Sequence, residues 1–336
     1  MAGQRVIYSY AGLTPPAELL SLISHGEAAG VIFFADNISS STQIRAVIRT
    51  LNEANASAQN PVRAPLLLMT DQEGGKIRHL SGQPLLSEKQ IGLSADPEAA
   101  ATEAGNGAGL NLRGLGMNVN LAPVFDVYRQ AGGFDDKNER SYSMRQTVVS
   151  KLGADFIKAQ QAVGVAATAK HFPGLGAATS SQDTDLRPVT LNVTAKSLST
   201  IDEFPYTAAI SAGVRLVMVS WAVYPALDDE RPAGLSSSII QGQLRERLHF
   251  NGVTITDSLG AEALQAFGTF QHRALLAAEA GMDLILCASN GASRDISEGE
   301  QAMDGLETGY ANGALSKPAF KASLQRVIGM RSSLGD

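Results

Sequence analysis

Eight short apolar runs recur along the chain, each followed by a turn and then by a stretch with helical spacing. This alternation narrows the possible folds more than any other feature. The runs occupy residues 5–10, 30–34, 65–70, 117–124, 165–171, 214–220, 252–256 and 282–288. They are β-branched and nearly continuous in apolar character, which suits strands buried on both faces of a parallel sheet. Helical patterns lie between them, for example at 16–28, 42–56, 97–112, 147–163, 239–248, 272–280 and 317–332. In the second of these, Ile44, Val47, Ile48 and Leu51 share one face, the spacing of a stripe that packs on a core. Eight strand–helix alternations without a break in composition predict an α/β chain forming one closed (β/α)8 TIM-type barrel over residues 1–336. A doubly wound open sheet is the alternative that the pattern leaves standing. With 336 residues, 44% apolar and 18% charged, the chain can bury a core of that size.

Composition removes several classes of function. The formal net charge is −6, whereas nucleic-acid binders carry a basic excess, so no nucleic-acid partner is expected. No apolar run reaches the ~18 residues of a membrane span, so no membrane partner is expected either. Cys287 is the only cysteine, which leaves no intramolecular disulfide and no cysteine-based metal site. The five histidines, His25, His79, His171, His249 and His272, lack i, i+4 pairing, and no metal is expected. The turns Gly74-Gly75 and Gly174-Leu-Gly176 lack the context of a phosphate loop, so no cofactor is expected. The chain opens without a basic and apolar leader, which reads as cytoplasmic as it stands and as extracellular if an export signal was removed. Oligomeric state is left open.

Active-site groups of such a barrel sit at the C-terminal ends of its strands. Read there, the sequence offers Asp71 after the third run, Phe125-Asp126 after the fourth and Lys170-His171 on the fifth. Trp221 follows the sixth, and Asp257-Ser258 the seventh. One aspartate after a strand is commonly a helix N-cap. Several polar groups at one barrel end are poorly explained by capping and would converge on one cavity. The longest irregular stretches, 78–96, 128–144 and 175–195, are candidates for functional loops.

The segments at these strand ends resemble glycoside hydrolase family 3, in particular its single-domain bacterial β-N-acetylglucosaminidase branch. Gly30-Val-Ile-Phe-Phe34, Asp71-Gln-Glu-Gly-Gly75, Asn120-Leu-Ala-Pro-Val-Phe-Asp126, Arg140-Ser-Tyr142, Lys170-His-Phe-Pro-Gly-Leu-Gly176, 220–227 and Thr254-Ile-Thr-Asp-Ser-Leu259 follow the family's order. The resemblance implies a retaining exo-glycosidase with Asp257 as nucleophile. A carboxylate beneath the anomeric carbon stabilises the oxocarbenium-like transition state and then forms the covalent intermediate. It also implies that Lys170 and His171 donate hydrogen bonds to sugar hydroxyls and that Arg140 and Asp71 grip others. For Arg140 the alternative is a structural ion pair with Asp126 or Asp135.

Two departures from the family pattern stand out. The loop after the Pro-Gly-x-Gly turn normally carries an Asp-x-His pair, but here it reads Ala177-Ala-Thr-Ser-Ser-Gln-Asp-Thr-Asp185 and holds no histidine. Asp185 is the expected acid/base and Asp183 the alternative or an orienting group; both could also be solvated loop acids. An arginine is normal eight residues past Asp71. This chain has His79 there and Arg78 just before it, so either is a candidate sugar ligand. The expected substrate is a carbohydrate, a terminal non-reducing β-linked N-acetylglucosamine or N-acetylhexosamine of a glycan or peptidoglycan fragment. A β-glucosidase or broad exo-glycosidase is the alternative within the class. A non-catalytic sugar-binding relative is the alternative outside it.

Overall fold

The computed structural model describes residues 1–289, 291 and 294–334. Each of the eight apolar runs contributes one strand to a parallel sheet. In chain order these are β1 (Val6–Tyr8), β2 (Gly30–Ile32), β3 (Leu67–Thr70), β4 (Val119–Asn120), β5 (Ala166–Phe172), β6 (Leu216–Val219), β7 (Val253–Thr256) and β8 (Ile285–Leu286). Neighbours run β7-β6-β5-β4-β3-β2-β1-β8. A parallel bridge between Ile255 and Leu284 then joins β7 to the residue ahead of β8, which closes the ring. The sheet is thus a barrel and not an open doubly wound sheet.

Strand side chains alternate between two environments, the period of two that a strand imposes. Ile7, Ile32, Leu67, Met69, Val119, Leu216 and Val253 belong to one buried cluster in the barrel interior. Val6, Tyr8, Val31, Leu68, Val217 and Val219 belong to the larger cluster beneath the surrounding helices. Both faces are buried, so the runs are apolar throughout and do not alternate. Gly30 lies where β2 meets β3, and a Cβ there would stand 2.0 Å from the Leu67 carbonyl oxygen.

Helix Ser41–Asn55 buries Ile44, Val47, Ile48 and Leu51, the stripe read from spacing, and Ser40 caps it by accepting from the Gln43 N–H at 3.1 Å. The segment near 239–248 is a π-helix, Ser238–Arg247. Helix Ile296–Asn312 lies outside the helical stretches read from the sequence, and its glycines explain why. Glycine weakens helix propensity by about 1 kcal/mol relative to alanine. Here Gly299 lets the helix approach the Tyr8 ring, where a Cβ would stand 2.3 Å away. No described helix is long and apolar enough to cross a membrane.

The three long irregular stretches follow β3, β4 and β5. The first starts in a short antiparallel hairpin, Gln72–Gly74 with Ile77–Arg78, and continues to helix Glu88–Gly92. The second includes helix Phe134–Lys137. The third, after β5, reaches Ala195 before the next helix begins. All three lie over the C-terminal end of the barrel.

Candidate active site

A cavity of about 230 Å³ opens at that end of the barrel. Asp71, His79, Arg140, Lys170, His171, Asp183, Asp185 and Asp257 line it, together with Phe34, Ile77 and Ser289. Of the nine candidate residues, only Arg78 does not line it.

Asp257 follows β7 directly. Its backbone N–H donates to the Val219 carbonyl at the end of β6, 3.3 Å away, and its Oδ1 accepts from the Ser258 N–H at 2.7 Å. The buried Trp221 after β6 donates its indole N–H to the Ser258 carbonyl at 2.7 Å. The Ser258 hydroxyl donates to the Ala288 carbonyl beyond β8. The turn that bears Asp257 is therefore tied to both neighbouring strands.

Lys170 and His171 lie near the end of β5, and the peptide between them is cis. The Lys170 ammonium, 2% exposed, lies 2.6 Å from Asp71 Oδ1 and 2.7 Å from Glu73 Oε1. Arg140 binds Glu73 through two parallel contacts, Nε–Oε2 at 2.9 Å and Nη2–Oε1 at 2.7 Å. Arg140 thus pairs with Glu73 and not with Asp126 or Asp135. Asp126 instead receives the His171 Nδ1 at 2.7 Å, and Asp135 accepts the Arg140 N–H at its backbone carbonyl. Burial alone would raise the Glu73 carboxyl; Arg140 and then Lys170 outweigh it and hold the pKa at about 2. Burial opposes the Lys170 charge, but Asp71 and Glu73 push its pKa above the usual lysine value.

The loop after β5 brings the remaining acids over the cavity. Gly176 begins it, packed so closely that a Cβ would stand 2.0 Å from the Val127 carbonyl oxygen. Asp183 Oδ1 accepts the Asp185 N–H at 3.0 Å, a local turn. The Thr184 and Asp185 carbonyls accept the Ala263 and Glu262 N–H groups at 3.1 and 3.2 Å, which docks the loop on the segment after β7. Burial pushes the Asp185 carboxyl up to about 7, with further contributions from the charges of Asp257 and Asp183. A carboxyl at that value can be a proton donor near neutrality.

The residues of the hairpin diverge. His79 faces the cavity, with Nε2 4.0 Å from Asp71 Oδ2 and its ring edge-on to Phe34 at 5.9 Å between centroids. Arg78 turns away and donates to the Gly82 carbonyl at 2.8 Å, so the expectation that it grips the sugar is not met in this arrangement. Two residues of the site were not singled out from sequence. Glu73 lies two positions after Asp71, and in the sequence Asp126 reads as a strand-end acid and as an alternative partner of Arg140. Glu73 as the partner of Arg140 and Lys170, and Asp126 as the partner of His171, have no sequence signal beyond those positions. Among the described residues, no group of three or more His, Cys, Asp or Glu side chains is placed to hold a metal ion.

A closed parallel barrel whose strand-end carboxyls share one cavity is a frame that glycoside hydrolases use. A model of the glycosyl hydrolase family 3 N-terminal domain matches residues 7–330, and the chain belongs to that family. It is 41% identical to an uncharacterized secreted glycosyl hydrolase of Arthroderma benhamiae, over 99% of this chain and 93% of that protein. It is 31% identical to beta-hexosaminidase A of Pseudoalteromonas piscicida over 96% of this chain, and spans 56% of that protein. A family 3 beta-N-acetylglucosaminidase from Paenibacillus superposes with a TM-score of 0.89 at 30% identity, over 99% of this chain and 62% of that one. The chain therefore spans less than two thirds of the latter two relatives.

Proposed function

We propose that the chain is a retaining exo-glycosidase that hydrolyses terminal non-reducing β-linked N-acetylglucosamine, or N-acetylhexosamine more broadly, from glycans or peptidoglycan fragments. Residues 1–336 are proposed to form a single family 3 N-terminal-type barrel domain. The observation that carries the reading is the pair Asp257 and Asp185 lining one cavity, with the Asp185 pKa held at about 7. Asp257, ionised, attacks the anomeric carbon as Asp185 gives its proton to the departing glycosidic oxygen. The resulting Asp185 carboxylate then takes a proton from the water that cleaves the glycosyl–Asp257 ester, and the enzyme returns to its starting state. Lys170, Arg140, Asp71 and His171 hold the sugar hydroxyls, with His79 at the edge. The cavity of about 230 Å³ is smaller than the ~300–1,000 Å³ of sites that enclose drug-sized ligands, in keeping with a single terminal ring. The acetamido preference is supported by the two relatives named for hexosaminidase or N-acetylglucosaminidase activity.

A panel of aryl β-glycosides tests this directly. N-acetylglucosaminide is expected to turn over fastest. Faster turnover of the glucoside would move the assignment to a β-glucosidase. Sugar-induced thermal stabilisation without turnover of any member would make the chain a sugar-binding protein.

A further inference from the structure

We propose that Asp126 is a positioning residue for sugar binding: it locks His171 as the neutral tautomer protonated on Nδ1, so that Nε2 is a hydrogen-bond acceptor. The ligand in this inference rests on the glycosidase reading above; the tautomer does not.

The argument is one of donors and acceptors. The fully buried Asp126 receives three donors. Oδ2 lies 2.7 Å from His171 Nδ1, while Oδ1 accepts from the Leu175 N–H at 2.7 Å and the His171 N–H at 3.3 Å. A carboxylate accepts from all three, so Nδ1 carries a proton. The other ring nitrogen, Nε2, lies 3.3 Å from Arg140 Nη2. A guanidinium has donors only, so it can approach a bare Nε2 but not an N–H. Arg140 cannot yield, because Glu73 holds its Nε and Nη2. The ring is therefore fixed at both ends. A sugar hydroxyl that meets Nε2 must give its own proton and share the one in-plane lone pair with the Arg140 N–H, the reverse of the donor role that family resemblance implies. Asp126 also fastens the Leu175 N–H, so the same carboxylate ties the His171 ring to the start of the loop that carries Asp185.

The test is ¹⁵N NMR of the imidazole rings of the free protein, with the His171 signals assigned by their loss in His171→Gln. The expected result is a protonated Nδ1 and a bare Nε2. In Asp126→Asn the amide oxygen stays with the two backbone N–H groups and its NH2 faces Nδ1, so the proton should move to Nε2. With Nε2–H now turned on Arg140, kcat/KM should fall roughly tenfold to a few hundredfold. A wild-type His171 protonated on Nε2, or on both nitrogens, overturns the proposal even if Asp126→Asn does not fold. An inverted tautomer with unchanged kcat/KM overturns its role in sugar binding. If no glycoside is turned over, the glycosidase reading fails while the NMR result on the free protein still decides the tautomer.

Discussion

The pKa of Asp185 makes a quantitative prediction about the acid step. An aspartate at its ordinary 3.8 would be protonated in about one molecule in 1,600 at pH 7. At about 7, where burial, Asp257 and Asp183 place it, about half the molecules carry the proton. The site thus enriches the acid form roughly 800-fold, equivalent to about 4 kcal/mol. Asp183→Asn removes one of the responsible charges and leaves an amide oxygen to accept the Asp185 N–H, now held at 3.0 Å. Loss of a nearby like charge should lower the Asp185 pKa by on the order of 1 unit. The assay is the pH dependence of kcat/KM, which reports the free enzyme, for a natural disaccharide and for a dinitrophenyl glycoside. With the disaccharide, activity should fall as pH rises through about 7 in the wild type and about one unit lower in Asp183→Asn. This puts the optimum on the acidic side. The dinitrophenyl leaving group needs no proton, so its profile should lack that basic limb. A limb near pH 4 in the wild type, a limb unmoved in Asp183→Asn, or the same limb with both substrates would refute the reasoning.

Four further outcomes are expected. Asp257→Ala should abolish turnover with the fold intact, and a 2-fluoro glycosyl donor should label Asp257; a label on another carboxyl sinks the assignment. Asp185→Ala should nearly stop disaccharide cleavage while sparing the glycosylation step of a dinitrophenyl glycoside, and azide should speed its turnover; equal loss on both substrates with no azide effect excludes Asp185. Ala variants of Lys170, Arg140 or Asp71 should lose roughly tenfold to a few hundredfold in kcat/KM, the worth of one charged hydrogen bond, and unchanged values contradict a sugar-binding role. Glu73→Gln should destabilise by ~3–5 kcal/mol at pH 7, because it leaves Lys170 and Arg140 buried without their shared counter-charge. The folded-state pKa of Glu73 is depressed, so its contribution is present above its ordinary 4.5 and is lost as pH falls toward about 2. The gap between Glu73→Gln and wild type in urea melts should narrow over that window, and a constant gap would show that the Glu73 charge is not its source.

The barrel strands were legible because burial on both faces leaves a simple mark, an unbroken apolar run. Ring closure was less visible. It depends on Ile255 meeting Leu284, a pairing that neither run specifies alone. The uncertainty between Arg78 and His79 has an equally local origin. Both occupy adjacent positions, and Arg78 lies on a strand where neighbouring side chains face opposite ways. The register that pairs Gln72 with Arg78 turns Arg78 outward and His79 inward, and only the hairpin's geometry settles which.

The partner of Arg140 shows a deeper limit. Asp126, Asp135 and Glu73 all lie close enough to influence the cluster, and the sequence points to Asp126 or Asp135 and passes over Glu73. Their geometry separates them through the other donors each must serve. Asp126 is fully engaged by His171 and the Leu175 N–H. Asp135 is buried, and that burial together with the Asp126 charge raises its pKa well above the usual aspartate value, so it is a poor counter-ion. Glu73 alone faces two cations, and each stabilises the carboxylate that the other needs. The acid/base loop obeys the same logic. Nothing in Asp183-Thr-Asp185 has a period to read, and its place beside Asp257 comes from backbone hydrogen bonds to Glu262 and Ala263. The proposed nucleophile, Asp257, is therefore held by strand and turn, whereas the proposed acid, Asp185, is held by a docked loop. Docking is also what buries Asp185 beside the Asp257 charge. Undocking would return Asp185 toward its ordinary acidity, so the same contacts that place the proposed proton donor also raise its pKa.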